Sequence, residues 1–574
     1  MKKIIGTFDS TKTINQNSLE TSLNINNNVL FSSDIEIFES EESKIFFSGI
    51  IYNKAELEKQ FEITTLTDSE LVHSLFNNFN FNSIKQIDGK FTFIIINRFD
   101  TIICRDRHGC DLQIYYTENY FSNTLATIFD LTKTKKDINT DAIVSFLGLG
   151  YIPSPATPFK YIKKLGAGKF LYYKHGVSVI ESNLFDFENF TKNKELLISN
   201  DITEINKDCK LLIKNAINSR ILNKENINFI DFQNVFNENI ENKNFTNKTS
   251  DYNKNNKIKH HEINILPQII KSFEIPFNDF NIIHNYLFLE QLSKEKTDFL
   301  LFFNGINFLT GSNSRNLEKY IKLKKHNTLI LAKFLKKILN TRFIEKYKKT
   351  YLLKTIINRV LNIYSIGRNG FTKKQIKQLL KSDINSNAYQ YQNSLPINLN
   401  SFEEAYISHN YFIDIKQSLN EIELFQLSTI SNKFNIQIDF PLLENNFYNF
   451  LKNLPIDIKN TINQNKNEKN KFTISSKINN YFHLHINQAN YLYDANLRKK
   501  LYVYMLKADA SNTLFNKVFL NNFLNNFEKE IIGKRRIYKV LYDMSFQFFN
   551  LLILILWWDI IINGKKGNTL QDFY

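Results

Sequence analysis

The chain is poor in sulfur, proline and glycine. Only three cysteines (Cys104, Cys110, Cys209), eight prolines and sixteen glycines are spread over 574 residues. An odd, sparse set of cysteines argues against a disulfide framework and fits a reducing compartment, so a cytoplasmic protein is expected. No pair has the spacing of a zinc site, and no metal centre is expected. Glycine is missing altogether between Gly176 and Gly305. A backbone nest for phosphate needs residues at positive φ, which glycine adopts without strain, so this long stretch lacks the usual means of building one. Arginine is missing before Arg98, which leaves everything upstream without a bidentate carboxylate clamp. Arginine-rich stripes and ribonucleoprotein-type aromatic motifs are absent too. The net charge of +16 is scattered among asparagines rather than gathered in a patch, and no nucleic-acid partner is expected.

Long hydrophobic runs are also scarce. "MKKII" resembles the n-region of a signal peptide, but Asp9 cuts the apolar run short. "FFNLLILILWW" (Phe548–Trp558) is followed by Asp559. It reads as too short to span a bilayer and as a buried core helix, and no membrane partner is expected. What is present is a globular composition, 43% hydrophobic and 14% aromatic, in a chain long enough for several large cores.

The first 185 residues read as mostly strand. Lys44–Tyr52, Lys90–Asn97 and Thr101–Asp106 are short β-branched and aromatic runs. Between the first two, "NKAELEKQF" and "DSELVHSLFNNF" have helical spacing, with Thr67 and Glu70 placed as a capping box. Two helices between strands buried on both faces imply a layered sandwich. "YIPSPATPF" (Tyr151–Phe159) holds three prolines and reads as an extended connector. Past Phe187 the pattern turns helical; the Asn- and Lys-rich stretch 234–259 reads as a loose surface loop, and the polar stretch 460–470 separates the last helical block.

In this order, these segments resemble the glutamine-dependent asparagine synthetase family, which joins an N-terminal-nucleophile glutaminase to an ATP-pyrophosphatase synthetase. "SGIIYNKAELEKQF" is similar to the family's "NGEIYNYREL", "TDSELVHSLF" to its "SDTEVLLHAY", "IDGKFTFIIIN" to "LNGMFAFAIWD" and "CRDRHG" to "ARDRFG". "YIPSPATPFKYIKKLGAGKFL" is close to "YVPAPRTIFKGIKKLPPGHYL", "FEIPFNDFNIIHNYLFL" to "DEPFADPSAIPTYLL" and "FPLLENNFYNFLKNLP" to "VPFLDHRLVEFALSLP". The resemblance implies an α+β domain followed by an α/β domain. Residues 1–185 would form a glutaminase-like four-layer αββα sandwich, and 195–574 a mainly helical synthetase-like domain around a parallel sheet of the ATP-pyrophosphatase type. The implied reaction is ATP-dependent amidation of aspartate with ammonia from glutamine, with ATP and magnesium as cofactors.

The residues that such chemistry needs are largely replaced. Glutamine hydrolysis in this family requires a thiolate on the first residue, with its own amine as base; here Lys2 occupies that place. The arginine-bearing substrate loop looks deleted, and Ser48 and Ile50 stand at the Asn and Glu of "NGE". Gly49 and Asp68 remain as a vestigial glutamine pocket, with Asp68 also suited to capping the helix that follows. Asp88-Gly89 reads as a turn, and Arg105-Asp106-Arg107 as an ion-paired strand end. In the synthetase half, Phe232–Glu238 stands where the family has its glycine-rich pyrophosphate loop, with neither glycine nor aspartate. "GINFLTG" replaces "GADELFG", putting Asn307 and Phe308 at its acidic pair. Gln437 and Asp439 take the Glu and Arg positions of "EARVPFLD". Glu274, Gly305 and Asn307 are what is left of a nucleotide pocket, and Asp279 matches a second family aspartate. His260-His261-Glu262 reads as part of a strand, where neighbouring side chains diverge and do not form a cluster.

The expectation is an asparagine synthetase-like pseudoenzyme with both sites degenerate, acting beside an asparagine synthetase-like protein in a hetero- or homo-oligomer. The alternative is a retooled ATP-dependent amide-bond-forming enzyme of a peptide or natural-product pathway.

Overall fold

The computed structural model describes residues 3–8, 24–26, 29–32, 34–133, 135–174, 179–185, 202–221, 226–230, 244–248, 251, 260–279, 281–303, 370–381, 414–454, 491–492, 494–532 and 538–574. The expected domain boundary between 185 and 195 lies outside these residues, as do Lys2, Phe232–Glu238, Gly305, Asn307 and the stretch 460–470.

The N-terminal strand runs pair into two six-stranded sheets. In the first, β1 (Ile4–Thr7), β2 (Asn24–Asn26), β3 (Val29–Phe31), β8 (Tyr115–Tyr116), β9 (Tyr120–Ser122) and β10 (Lys163–Lys164) take the order β10-β8-β9-β1-β3-β2. In the second, β4 (Glu36–Glu39), β5 (Ser43–Ile51), β6 (Gly89–Asn97), β7 (Asp100–Arg105), β11 (Lys169–Lys174) and β12 (Ile180–Asn183) take the order β12-β11-β7-β6-β5-β4. Every pairing in both sheets is antiparallel. Strand side chains alternate between faces, and these strands use both. Phe46, Ile94 and Ile103 pack with Ile4, Phe31 and Phe121 in the core between the sheets. Their neighbours Phe47, Phe93 and Ile95 join Leu71, Val72 and Leu75 of a helix on the outer side. That helix is α2 (Asp68–Ile84), next to α1 (Lys54–Phe61); α3 (Leu125–Thr132) contacts β8 and β9 of the other sheet. The layers are helix, sheet, sheet, helix.

The C-terminal part holds a four-stranded parallel sheet. β13 (Asn226–Ile230), β14 (Asn244–Asn247), β15 (Phe299–Phe302) and β16 (Gln437–Asp439) lie in the order β14-β13-β15-β16. The wholly buried "FLLF" of β15 is what a parallel strand covered on both faces requires. Helices include α4 (Thr140–Leu149), α5 (Ile202–Ile221), α6 (Leu266–Phe273), α7 (Ile282–Lys294), α8 (Lys373–Leu379), α9 (Phe425–Phe434) and α10 (Asn445–Asn453). They continue with α11 (Ala495–Lys507), α12 (Asp509–Thr513), α13 (Lys517–Ile532) and α14 (Tyr538–Trp557). A π-helical segment, Asp414–Leu424, leads into α9.

Four sequence expectations need correction. The apolar C-terminal run is longer than its core suggests: Met544–Ile562 spans 19 residues at a mean hydropathy of 1.8, enough by length and composition to cross a membrane. Yet 89% of it is buried within the protein, where α4, α6 and α13 surround it. Its Asn550 amide donates to the Leu147 carbonyl (3.0 Å) and accepts from Asn278 (2.7 Å). The proline-rich segment is not extended, because the Ala156 amide closes a turn on the Pro153 carbonyl (3.0 Å). It is followed by β11 and β12, which join the second sheet. The polar stretch 234–259 contains β14, an edge strand in which Phe245 and Thr246 register with Ile227 and Asn228; apolar content is a poor guide at a sheet edge. His260–Ile265 is a 3-10 helix rather than a strand, tightened ahead of α6, which has Pro267 in its first turn. Its side chains project about 120° apart and still do not converge.

Gly49 shows how tightly β5 and β6 are paired. It holds φ +128, and a Cβ there would stand 2.0 Å from the Lys90 carbonyl oxygen. Gly49→Ala is expected to cost on the order of 3 kcal/mol through combined backbone strain and strand separation. Thermal unfolding of the full chain measures it, against an Ile50→Ala control in the same strand.

Candidate functional site

Open parallel sheets present their chemistry at the carboxyl ends of their strands. Here β13, β15 and β16 end at Ile230, Phe302 and Asp439. Asp439 is buried, and its carboxylate is fully engaged. One oxygen accepts from Arg220 Nε (3.1 Å) and from the Phe440 amide (2.8 Å); the other accepts the Tyr52 hydroxyl. Arg220 lies 4.0 Å above the Tyr52 ring and donates to the Ala216 carbonyl (2.8 Å). Burial opposes the charge on Arg220, but Asp439 and Tyr52 outweigh it and hold the guanidinium pKa above its usual value. Burial, and then the Asp439 carboxylate, push the Tyr52 phenol well up. Tyr52 comes from the N-terminal sandwich, so this network joins the two parts of the chain.

Around it lie further interdomain bonds. Lys90 donates to the Ile438 carbonyl (2.9 Å), and the Asn445 amide donates to Asp88 (3.3 Å). Burial pushes the Asp88 carboxyl up to about 7 against the pull of Arg220. Asp88 is thus more than a turn residue. Similarly, Arg105-Asp106-Arg107 is not held by a mutual ion pair. Arg105 donates to the Leu165 (2.8 Å) and Gly109 (2.9 Å) carbonyls, Asp106 accepts from the His108 (2.9 Å) and Cys110 (2.9 Å) amides, and Arg107 stacks on Phe185 and Tyr448. A buried strand end must satisfy backbone groups before it can spend charges on each other.

Gly49 and Asp68, given by the resemblance to a glutamine pocket, make contacts within the sandwich. Gly49 faces Phe91 across the β5–β6 pair. Asp68 is the first residue of α2, not its cap; Thr67 is the cap, its hydroxyl accepting from the Glu70 amide (3.2 Å). Glu70 returns to the Leu66 amide (2.6 Å), one residue earlier than a capping box requires. The Asp68 carboxylate accepts the Ile51 amide (2.9 Å), and burial raises its pKa while that bond opposes the rise. Glu274, assigned by resemblance to the nucleotide pocket, caps α3. Its two oxygens accept from the Leu125 (2.7 Å) and Ala126 (3.0 Å) amides, and its backbone carbonyl takes the Trp557 indole N–H (2.8 Å). Burial raises its pKa, and those two amides oppose the rise. Asp279 accepts from the Asn281 amide (3.2 Å).

Magnesium requires carboxylate oxygens with charge to spare. Asp439 is already neutralised by Arg220, and among the described residues no group of three His, Cys, Asp or Glu side chains could hold a metal ion. The positions that the resemblance gives to the pyrophosphate loop and the acidic pair, 232–238 and 307–308, lie outside the described residues. Sequence reasoning missed Arg220 and Tyr52, whose signal was faint: a lone arginine inside an otherwise lysine-based helix, and a tyrosine at a strand end. It also missed a cavity of about 480 Å³ between the two parts, walled by Lys3, Arg105, Tyr115, Glu274, Phe425 and Lys433 among others. Tyr52, Arg220 and Asp439 are not in its walls.

Residues 36–183 match the model of the glutamine amidotransferase domain family. Over 138 residues the chain is 35% identical to a protein of Methanocaldococcus jannaschii described as putative asparagine synthetase [glutamine-hydrolyzing] 2. The match covers 22% of this chain and 27% of that protein, so the chain spans about a quarter of this relative's length. Among solved structures, it is similar to glutamine phosphoribosylpyrophosphate amidotransferase from B. subtilis complexed with ADP and GMP. That likeness is at 11% identity and a TM-score of 0.21, over 40% of this chain and 54% of that one. It is also similar to a structure titled as the allosteric regulatory enzyme of purine biosynthesis, at 12% identity and a TM-score of 0.22, over 40% and 54% of the two chains. The resemblance read from the sequence is supported over this part: residues 36–183 match the glutamine amidotransferase domain, and 138 residues are similar to a putative glutamine-hydrolysing asparagine synthetase.

Two outcomes are expected of the interdomain network. Arg220→Met leaves Asp439 buried without its counter-charge and should cost about 3–5 kcal/mol, with part recovered in Arg220→Met/Asp439→Asn; urea unfolding of both variants measures it. Asp88, raised to about 7 when folded, has an ordinary pKa of about 3.9 unfolded. Between these values the folded state holds a proton that the unfolded state has lost, so this group's contribution falls as pH rises. Asp88→Asn removes that dependence. The stability difference between parent and variant should shift by up to on the order of 1 kcal/mol per pH unit across this window, in the variant's favour as pH rises.

Proposed function

We propose that this protein is an asparagine synthetase-like pseudoenzyme whose two reaction centres are both degenerate, and that it acts as a partner or regulator of an active homologue. The parallel sheet is read as that of the ATP-pyrophosphatase type, and the N-terminal sandwich as a glutaminase frame. One observation carries the reading. At the carboxyl end of the parallel sheet, where the family's chemistry would need an anion cradle and a free metal-binding carboxylate, Asp439 is closed off by Arg220 and Tyr52. The sequence agrees at each other point of need. Lys2 stands in place of the thiol, and no glycine separates Gly176 from Gly305. A lysine amine is mostly protonated at neutral pH and is a poor nucleophile without a depressed pKa.

The losses fall on chemistry while packing motifs persist, which favours a retained binding surface over a retained turnover. The partner that fits is a second asparagine synthetase-like chain.

Purified full-length protein supplied with glutamine should release no ammonia above background. With aspartate, ATP and magnesium it should show no ATP–pyrophosphate exchange, and calorimetric titration with ATP should be flat with and without magnesium. Lys2→Cys alone should not restore glutaminase activity, because the carboxylate clamp is missing as well. Exchange or ammonia release above background in the parent protein would end this reading.

A further inference from the structure

The cavity between the two parts of the chain is a second place where both contribute walls, and it uses none of the replaced catalytic positions. Its volume of about 480 Å³ falls within the range of about 300–1,000 Å³ that encloses small organic ligands. One wall comes from the first sheet and the turn after β7, with Ile5, Leu112 and Tyr115; the other comes from Phe273 of α6 and Phe425 of α9. These give an apolar patch with three aromatic rings in a lining whose other residues are mostly polar or charged.

The charged groups decide what such a lining would take. Glu274 is spent on two backbone amides, and Asp130 is exposed at the rim. Lys271 reaches outward to the Gly567 carbonyl (2.6 Å) and Asn568 (2.9 Å). Lys3 lies in the wall with its field on Glu274, and the buried Asp111 carboxylate acts on Arg105, whose guanidinium donates to Gln113 (3.0 Å), Leu165 (2.8 Å) and Gly109 (2.9 Å). One cation remains under-used. Lys433 is partly buried, its ammonium 3.5 Å from the Gln268 carbonyl and 4.8 Å from the Tyr286 ring centre. Glu290, the carboxylate whose field reaches Lys433, makes its ion pair with Lys294 (3.2 Å). A half-buried ammonium with only a long carbonyl contact and ring faces is well placed to accept an anion. The α3 amides that could have cradled a phosphate are already occupied by Glu274, which favours a singly charged anion over a phosphate. Beside Lys433, Thr429 and Asn432 stand one turn apart on α9 and line the same space; neither side chain has a hydrogen-bond partner among the described residues. A hydroxyl and a carboxamide at that spacing on one helix face suit an amide or hydroxyl on the ligand.

We propose that this interdomain cavity binds a small molecule carrying one carboxylate and one amide or hydroxyl on an aromatic or otherwise apolar body. The carboxylate meets Lys433, the polar group meets Thr429 and Asn432, and the apolar body lies among Tyr115, Phe273 and Phe425. The proposal does not depend on the loss of catalysis proposed above, and it survives or fails separately.

The probe is hippurate, N-benzoylglycine, titrated into the full-length protein. Calorimetry gives the affinity. Tryptophan emission gives a second readout, since the Trp557 indole is bonded to the backbone of Glu274 in the cavity wall. Saturable binding is expected, weakened about tenfold or more for the uncharged primary amide of hippurate and for Lys433→Met, and largely kept in Lys433→Arg. Thr429→Val/Asn432→Leu should weaken hippurate while leaving benzoate unchanged, a comparison that does not depend on the folding of a Lys433 variant. Failure of hippurate to titrate, equal binding of its uncharged amide, or indifference to Lys433→Met in a folded variant would each overturn the proposal.

Discussion

The buried pair of Arg220 and Asp439 is the constraint around which the two parts of the chain are fitted. Removing two charges from water is costly, and their attraction repays that cost only when geometry and additional hydrogen bonds are good. Here the geometry is good: Asp439 accepts from Arg220, from Tyr52 and from its own neighbour's amide. The consequence is mutual dependence. Tyr52 belongs to the sandwich, Arg220 and Asp439 to the helical part, and neither part can expose its share without stranding a buried polar group. Such a network adds little net stability over well-packed apolar residues, but it penalises misdocking heavily.

The same logic repeats along the rest of the interface. The π-helical segment Asp414–Leu424 places Gln417, Asn420 and Glu421 against the sandwich. Gln417 accepts from the Tyr151 hydroxyl (3.2 Å), Asn420 lies 3.1 Å from His108 Nδ1, and Glu421 accepts from the Ser154 amide (3.2 Å) and Lys164 (2.9 Å). A wider helical turn lets neighbouring positions share a face that a regular α-helix would divide, which is one reason such turns persist at working surfaces. Lys164 is almost wholly buried, yet Glu421 stays ionised: burial alone would raise the carboxyl, but Lys164 and the Ser154 bonds hold it below its usual value. An interface of this kind is wet chemistry kept dry, paired group by group.

How much of this was legible follows from what each signal depends on. β-branched and aromatic runs such as "KFTFIIIN" and the Thr67 cap depend on local sterics, and the strands and helix start lie where those residues place them. β14 was missed because an edge strand needs backbone partners more than apolar side chains, and "NFTN" offers little of the latter. The proline-rich turn was misread because three prolines restrict the backbone without saying whether the chain runs straight or folds back. At the site, residue types are legible position by position, but the partners of Asp439 are not. Arg220 lies 219 positions from Asp439, and no periodicity links residues that only tertiary packing brings together.

Each unpaired buried polar group costs about 1–3 kcal/mol or more, so a buried carboxylate must find a partner or be exchanged for an apolar group. Asp439 meets this demand with Arg220, and Glu274 meets it as a structural cap on the α3 amides. Once made, such pairings resist change. A cation arriving at Asp439 would have to displace a guanidinium that is bonded and buried. Freeing that carboxylate would take simultaneous changes at groups that hold the two parts of the chain together, so the packing that joins the parts also fixes what the end of the parallel sheet can bind.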